Sequence, residues 1–369
     1  MHSCLLMETR DEALAVPRGS LDLVLCEVCG YLANRAFDEA LTSYSSRYED
    51  SQAFSTTFVA YATELARQWV DDWSLGGRTV VEIGAGRGDF SRMLADAGAG
   101  RVIAMDPTID PVRFGSGDDR VEPLLQAFRT AADLPACEAV VMRHVLEHVD
   151  DPVALLTGLR GALTSYQTLP VLVEIPDATR IMTEGAFWDV YYEHCAYLTA
   201  DTARALFESC GFAVQRMSSA YDGQYLLVEA TASGTPRPAR LAAEELSSLR
   251  DLARDFGVAV DTVVQRWTEA LRQRRAAGQR VVVWGAGSKG SAFLVALGEM
   301  AAAVDCVVDI NPHLNGKFIA GTGHPIFAPG ELARLSSDLV IVMNPVYLNE
   351  IGGMVAKLSP GSEVVALGA

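Results

Sequence analysis

Short apolar, β-branched runs alternate along the middle of the chain with stretches whose apolar positions return every three or four residues. The runs at 79–83, 101–105, 138–142 and 170–175 predict strands, and 90–97, 151–163 and 201–210 carry the helical period. Strands and helices in alternation imply a parallel sheet with helices on both faces. Phe212 to Ser219 and Tyr225 to Ala230, joined through Asp222-Gly223, predict an antiparallel pair that closes it. Ahead of the sheet, Phe54, Phe58, Tyr61, Leu65, Trp69 and Trp73 recur at helical spacing and predict an amphipathic helix. Tyr48, Ser51 and Gln52 just before it read either as helix-start residues or as a cover for the ligand.

Beyond the sheet, Ala232-Ser233-Gly234-Thr235-Pro236-Arg237-Pro238 breaks the pattern and marks a boundary. Residues 241–277 predict one or two amphipathic helices, and Val281-Val282-Val283-Trp284 opens a second strand–helix–strand unit whose second strand ends at Asp309. The expected division is 1–45 as an N-terminal segment, 46–232 as the first α/β domain, 233–278 as linker and helical bridge, and 279–369 as a second Rossmann-like domain.

Composition narrows the partners. Half of the 369 residues are apolar, enough for two or three packed cores, and the formal net charge is −17. An acidic surface lacks the basic patch that nucleic acid or an anionic membrane needs, so neither is expected as a partner. No apolar run approaches the roughly 18 residues that span a bilayer, and Glu8, Arg10, Asp11 and Glu12 come too early for a signal peptide. A cytoplasmic protein is expected, with its seven scattered cysteines reduced.

The chemistry begins where the first strand ends. Glu82 is followed by Ile83-Gly84-Ala85-Gly86-Arg87-Gly88, three glycines spaced two apart, and then by a helix start. Glycines let a backbone approach a ligand closely, and a helix start supplies unpaired N–H groups. No Lys-Ser or Lys-Thr follows the last glycine, so this is not a phosphate loop. Asp106 ends the next strand 24 residues after Glu82, placed to accept from ribose hydroxyls.

The E-x-G-x-G-x-G turn, the second acid and the later Val140-Val141-Met142-Arg143-His144-Val145-Leu146-Glu147-His148 run resemble the class I S-adenosylmethionine-dependent methyltransferases. The resemblance implies a cofactor site of Glu82, Gly84, Ala85, Gly86, Gly88, Asp106, Pro107, Gln126, Ala127, Arg143 and His144, with the glycine turn at the methionine end and Asp106 on the ribose. In such a helix start His144 and His148 more often pack or cap than react.

After the strand at 170–175, Phe187-Trp188-Asp189-Val190-Tyr191-Tyr192-Glu193-His194-Cys195-Ala196-Tyr197 is dense in aromatics and carries a Glu and a His. Here the chain resembles the sugar-nucleotide C-methyltransferases, which have a Tyr-His-Glu-His-like segment at this place; Tyr192 departs from the first His. The resemblance implies that the last His of the segment, His194, or a nearby Tyr removes a proton beside a keto group; the chemistry then suits His194 as the base, Glu193 to orient it or the substrate, and Tyr191 to donate to the enolate oxygen. A base with a pKa of about 7 suits that step. The alternative is a structural aromatic hinge.

The same resemblance implies a small N-terminal zinc-binding segment, a class I methyltransferase domain, and a C-terminal Rossmann-like domain that closes over a nucleotide-sugar. Cys26-Glu27-Val28-Cys29-Gly30 has the form of a zinc knuckle, and His2 and Cys4 would complete four ligands for a structural Zn2+; two reduced loop cysteines are the alternative. For the substrate the expected contacts are Tyr192, Tyr197, Gln224, Tyr225, Gly287, Lys289 and Asn344. Gln224 stands where the sugar enzymes have a Gly-Gly-Ser-like segment, which opens the substrate's identity to other metabolites. Gly285-Ala286-Gly287-Ser288-Lys289-Gly290 is a literal G-x-G-x-x-G with an acid, Asp309, 24 residues after its first glycine. It fits a diphosphate at a helix start, or by itself an NAD site. The expected activity is methyl transfer to carbon of a nucleotide-linked ketosugar; O- or N-methylation of another metabolite, and a nucleotide-binding protein built on the C-terminal domain, are the alternatives.

Overall fold

The computed structural model describes residues 3–42, 47–49, 51–115 and 118–368. Its largest sheet has seven strands in the order Val121–Leu124, Arg101–Met105, Thr79–Ile83, Ala139–Arg143, Pro170–Pro176, Tyr225–Thr231, Ala213–Ala220. The first five are parallel, and Tyr225–Thr231 runs antiparallel to both its neighbours. Side chains along these strands alternate between two cores, as a strand with both faces covered requires. Val81, Ile83, Val140 and Met142 meet the helices Pro152–Ala162 and Ala200–Ser209 on one face. Val80, Val102, Val141 and Leu172 meet Thr56–Asp72 and Asp89–Asp96 on the other, where Trp69 and Phe90 cross edge to face.

The edge strand Val121–Leu124 has no counterpart in the sequence reading, because Glu122 and Pro123 interrupt its apolar run. The helix expected within 241–277 is a single one, Ala243–Ala276, and only Leu249, Trp267 and Leu271 on it are buried. Beyond it lies a parallel five-stranded sheet in the order Ile326–Phe327, Cys306–Val308, Val281–Trp284, Leu339–Val342, Glu363–Ala366.

A small third sheet ties the parts together. Leu23–Leu25 and Leu32–Asn34 pair with each other, and Ala196–Tyr197, from the aromatic loop after the fifth strand, adds to Leu32–Asn34. The same loop sends Phe187 and Trp188 into the core of the second parallel sheet, against Phe293 and Leu294. It is therefore clamped at both ends, with Tyr191 and His194 between the clamps. Among the described residues no helix is long and apolar enough to cross a membrane.

Candidate active site

The glycine turn holds three left-handed glycines, Gly84, Gly86 and Gly88, at φ of 75°, 53° and 75°. A Cβ on Gly84 would lie 2.3 Å from Val145, and one on Gly88 would lie 2.3 Å from the Phe114 ring; at Gly86 nothing stands within 4 Å. The turn is thus packed on either side and open in its middle, which is where a ligand has access to the backbone. Asp106 accepts from the Gly86 N–H at 3.0 Å and from the Thr108 N–H at 2.7 Å. Pro107 lies within that bend. Gln126, just past the edge strand, donates to Asp133 at 2.6 Å, and Ala127 follows it.

Glu82 is buried and takes a hydrogen bond from Ser91 Oγ. Burial raises its carboxyl to about 7, against the pull of Ser91 and Arg143. Arg143 lies 4.2 Å over the Phe90 ring and pairs with Glu174 at 2.7 Å. These donors, acceptors and the open centre of the turn fit S-adenosylmethionine, which Glu82, the glycine turn and Asp106 would hold.

The carboxyl ends of the two parallel sheets enclose a cavity of about 280 Å³. His144, His148, Tyr191, His194, Gln224 and Tyr225 line it from one side, and Gly287, Lys289, Asn344 and Tyr347 from the other. The Tyr191 and His194 rings lie 4.0 Å apart between centroids, and His148 crosses His194 at 4.8 Å. Burial, together with the nearby His148, His144 and Lys289, pushes the His194 imidazole well below its ordinary value, so it is neutral near pH 7. Gln224 and Asn344 join through a reciprocal pair of amide hydrogen bonds of 2.8 and 3.0 Å. The Lys289 ammonium pairs with Asp189, whose other oxygen accepts from Arg180 at 2.7 Å.

Three expected contacts are placed elsewhere. Tyr192 points to the N-terminal segment, where its hydroxyl accepts from the Asp38 N–H at 2.9 Å, because its ring fills the space over Gly19. Tyr197 sits behind His194, with ring centroids 6.3 Å apart, and does not reach the cavity. Glu193 is buried away from the cavity, its carboxylate accepting from Ser3 Oγ at 2.6 Å and from the Ser3 N–H, while its main-chain carbonyl meets His148 Nδ1 at 3.0 Å. The sequence reading set His148 aside; its lie at the cavity wall was signalled only by its place just past the fourth strand.

Among the described residues, Cys4, Cys26 and Cys29 of the expected zinc set are not brought together. Cys4 Sγ lies 3.0 Å from Ser288 Oγ at the cavity, whereas Cys26 and Cys29 form a turn closed by the Gly30 N–H to Cys26 carbonyl bond of 2.9 Å, on the exposed side facing Arg250. His2 lies outside the described residues. The turn is that of a knuckle, and the N–H groups of Cys29 and Val28 hold the Cys26 thiol below its usual value. Two thiols do not make a tetrahedral centre. The one group of three His, Cys, Asp or Glu side chains with donor atoms together, among the described residues, is Glu147, His148 and His194.

Asp309 repeats at the second sheet what Asp106 does at the first. It accepts from the Ala286 N–H at 2.7 Å and the Asn311 N–H at 2.8 Å, and burial raises its carboxyl.

Two family models match the chain. A family model described as a methyltransferase domain matches residues 54–216, and one described as a C-methyltransferase C-terminal domain matches residues 229–365. The C-methyltransferase NovU of Streptomyces niveus is 26% identical over 367 residues, covering 94% of this chain and 85% of that protein. A tRNA U34 carboxymethyltransferase of Serratia proteamaculans is 25% identical over 174 residues, covering 42% of this chain and 54% of its own. Among solved structures, an S-adenosylmethionine-dependent methyltransferase from Mesorhizobium loti aligns with 46% of this chain and 99% of its own, at 16% identity and a TM-score of 0.38.

Proposed function

Taking as premise that this chain is an S-adenosylmethionine-dependent methyltransferase, with a class I methyltransferase domain followed by a C-methyltransferase C-terminal domain, we propose that it methylates a carbon beside the keto group of a nucleotide-linked sugar. One observation carries the reading: a neutral, buried His194 and the Tyr191 phenol face the same cavity as Lys289 and the open helix start at Gly287.

In this reading His194 takes the α-proton, and the Tyr191 hydroxyl, kept protonated by burial, donates to the oxygen that becomes an enolate. The donor, when bound, supplies an electrophilic methyl group to the resulting carbon nucleophile. Gly287 and Lys289 hold the diphosphate, with Asp189 and Arg180 keeping the ammonium in place until it arrives. Residues 46–232 would then serve the donor and 279–369 the nucleotide, and holding both substrates together is a large part of the rate.

The test is proton exchange in deuterated water with a nucleotide-linked ketosugar and no donor. The wild-type enzyme should exchange the α-proton, and His194→Ala should exchange at least about 100-fold more slowly while binding S-adenosylhomocysteine as before. A wild-type enzyme that leaves the α-proton untouched rules out the enolate route.

A further inference from the structure

His194 also borders a second, much smaller space. A void of about 10 Å³ is walled by Glu147, His194, Tyr197 and the apolar Ile175, Ala196 and Leu198. That is about the room one water needs. Glu147 Oε2 and His194 Nδ1 are both buried and lack a hydrogen-bond partner among the described residues, and the two side chains bring donor atoms within 4.8 Å of each other. Buried polar atoms are rarely left unpaired, and two such atoms on residues that wall the same void suit a single water between them.

Glu147 is held for such a task. Its Oε1 lies 3.1 Å from His144 Nδ1, and His144 Nε2 lies 2.9 Å from Glu174 Oε1, so a chain of buried charges runs from Arg143 to the edge of the void. Its main-chain carbonyl accepts from the Cys195 N–H at 2.8 Å, which fixes the turn against the His194 loop.

We propose that Glu147 is a positioning residue that accepts, through one buried water, the Nδ1–H of His194, leaving Nε2 as the nitrogen without a proton. The assignment rests on His194 being the base of the reading above. It explains how a buried imidazole works as one. Burial, His148, His144 and Lys289 all disfavour the imidazolium, while the Asp189 carbonyl favours it by accepting an N–H of the charged ring. A carboxylate one water away adds the missing stabilisation as the ring takes up its proton, as carboxylates do behind reacting histidines generally. Tyr191 and Tyr197 also face the ring, and burial keeps both phenols neutral.

Nitrogen-15 NMR of the full chain labelled at its six histidines, with His194→Asn for assignment, reads the tautomer directly. Wild-type His194 should be the Nδ1–H form, Glu147→Asp should keep it, and Glu147→Gln should give a mixture, because the amide can donate as well as accept. In parallel, Glu147→Gln should lower kcat for methylation by about tenfold or more, leave KM little changed and move the pH profile, whereas a merely structural role would leave tautomer and profile alone. An Nε2–H tautomer in the wild type, or an identical tautomer in Glu147→Gln, overturns the proposal. Absence of α-proton exchange in the wild type would instead sink the base reading while leaving the tautomer result to stand.

Discussion

His144 shows how a single residue departs from what its neighbours in sequence suggest. It sits at φ 53°, a left-handed conformation rare outside glycine, at the end of the fourth strand. Glu147 and Glu174 hold it there. Burial works against the imidazolium, but these two carboxylates outweigh it and lift the group to about 9. A folded-state value above the unfolded one of about 6.5 means that protonation stabilises the fold: fully below the unfolded value, and progressively less as pH rises through about 9. Wild type should therefore exceed His144→Asn in melting temperature most at pH 6, with the gap narrowing by pH 9.5; a gap that widens with pH would contradict this. Glu174 goes the other way. Burial raises its carboxyl, yet Arg143, His144 and Tyr61 bring it down to about 2, so its contribution persists until strongly acid pH.

The two glycine-bearing turns separate packing from binding at the scale of an element. Helix Ser288–Ala296 crosses its strand so closely that a Cβ on Gly290 would lie 2.0 Å from the Gly285 carbonyl oxygen. Gly287, three residues earlier, has an ordinary φ of −72° and nothing within 4 Å of a Cβ, yet it lines the cavity. Gly290→Ala should thus cost several degrees of melting temperature by forcing backbone apart, about what one or more kcal/mol costs a domain. Gly287→Ala should melt like wild type while weakening binding of a nucleoside diphosphate, read by calorimetry. Equal melting of both variants would show that the close crossing is relieved cheaply. The turns were legible because their information is local: glycine spacing, a strand before, a helical period after. The edge strand at Val121–Leu124 was not, since its pairing with Arg101–Met105 comes from a neighbour rather than its own pattern.

At the scale of the whole molecule the cavity exists only because two sheets meet. Gln224 and Asn344, 120 residues apart, bridge them by reciprocal amide bonds, and Lys289 meets Asp189 across the same gap. Lys289→Met should raise KM for the nucleotide-linked substrate at least about tenfold, by removal of a charge-assisted contact, and leave S-adenosylhomocysteine affinity unchanged. Unchanged KM would place the diphosphate elsewhere.

By itself the sequence determined the strand–helix alternation of the first sheet apart from its edge strand, the opening strand–helix–strand of the second, the glycine turn with Glu82 and Asp106, and the composition of the loop carrying Tyr191 and His194. Those depend on residues near one another in the chain, where period, turn chemistry and capping act. Tertiary structure alone decided that Tyr192 turns outward, that Glu193 binds Ser3 across 190 positions, that Cys4 parts from Cys26 and Cys29, and that His148 and Glu147 join His194. The physical reason is that the 187–199 loop is pulled between two other elements, the small N-terminal sheet and the core around Phe293, and the direction of each of its side chains follows from those anchors.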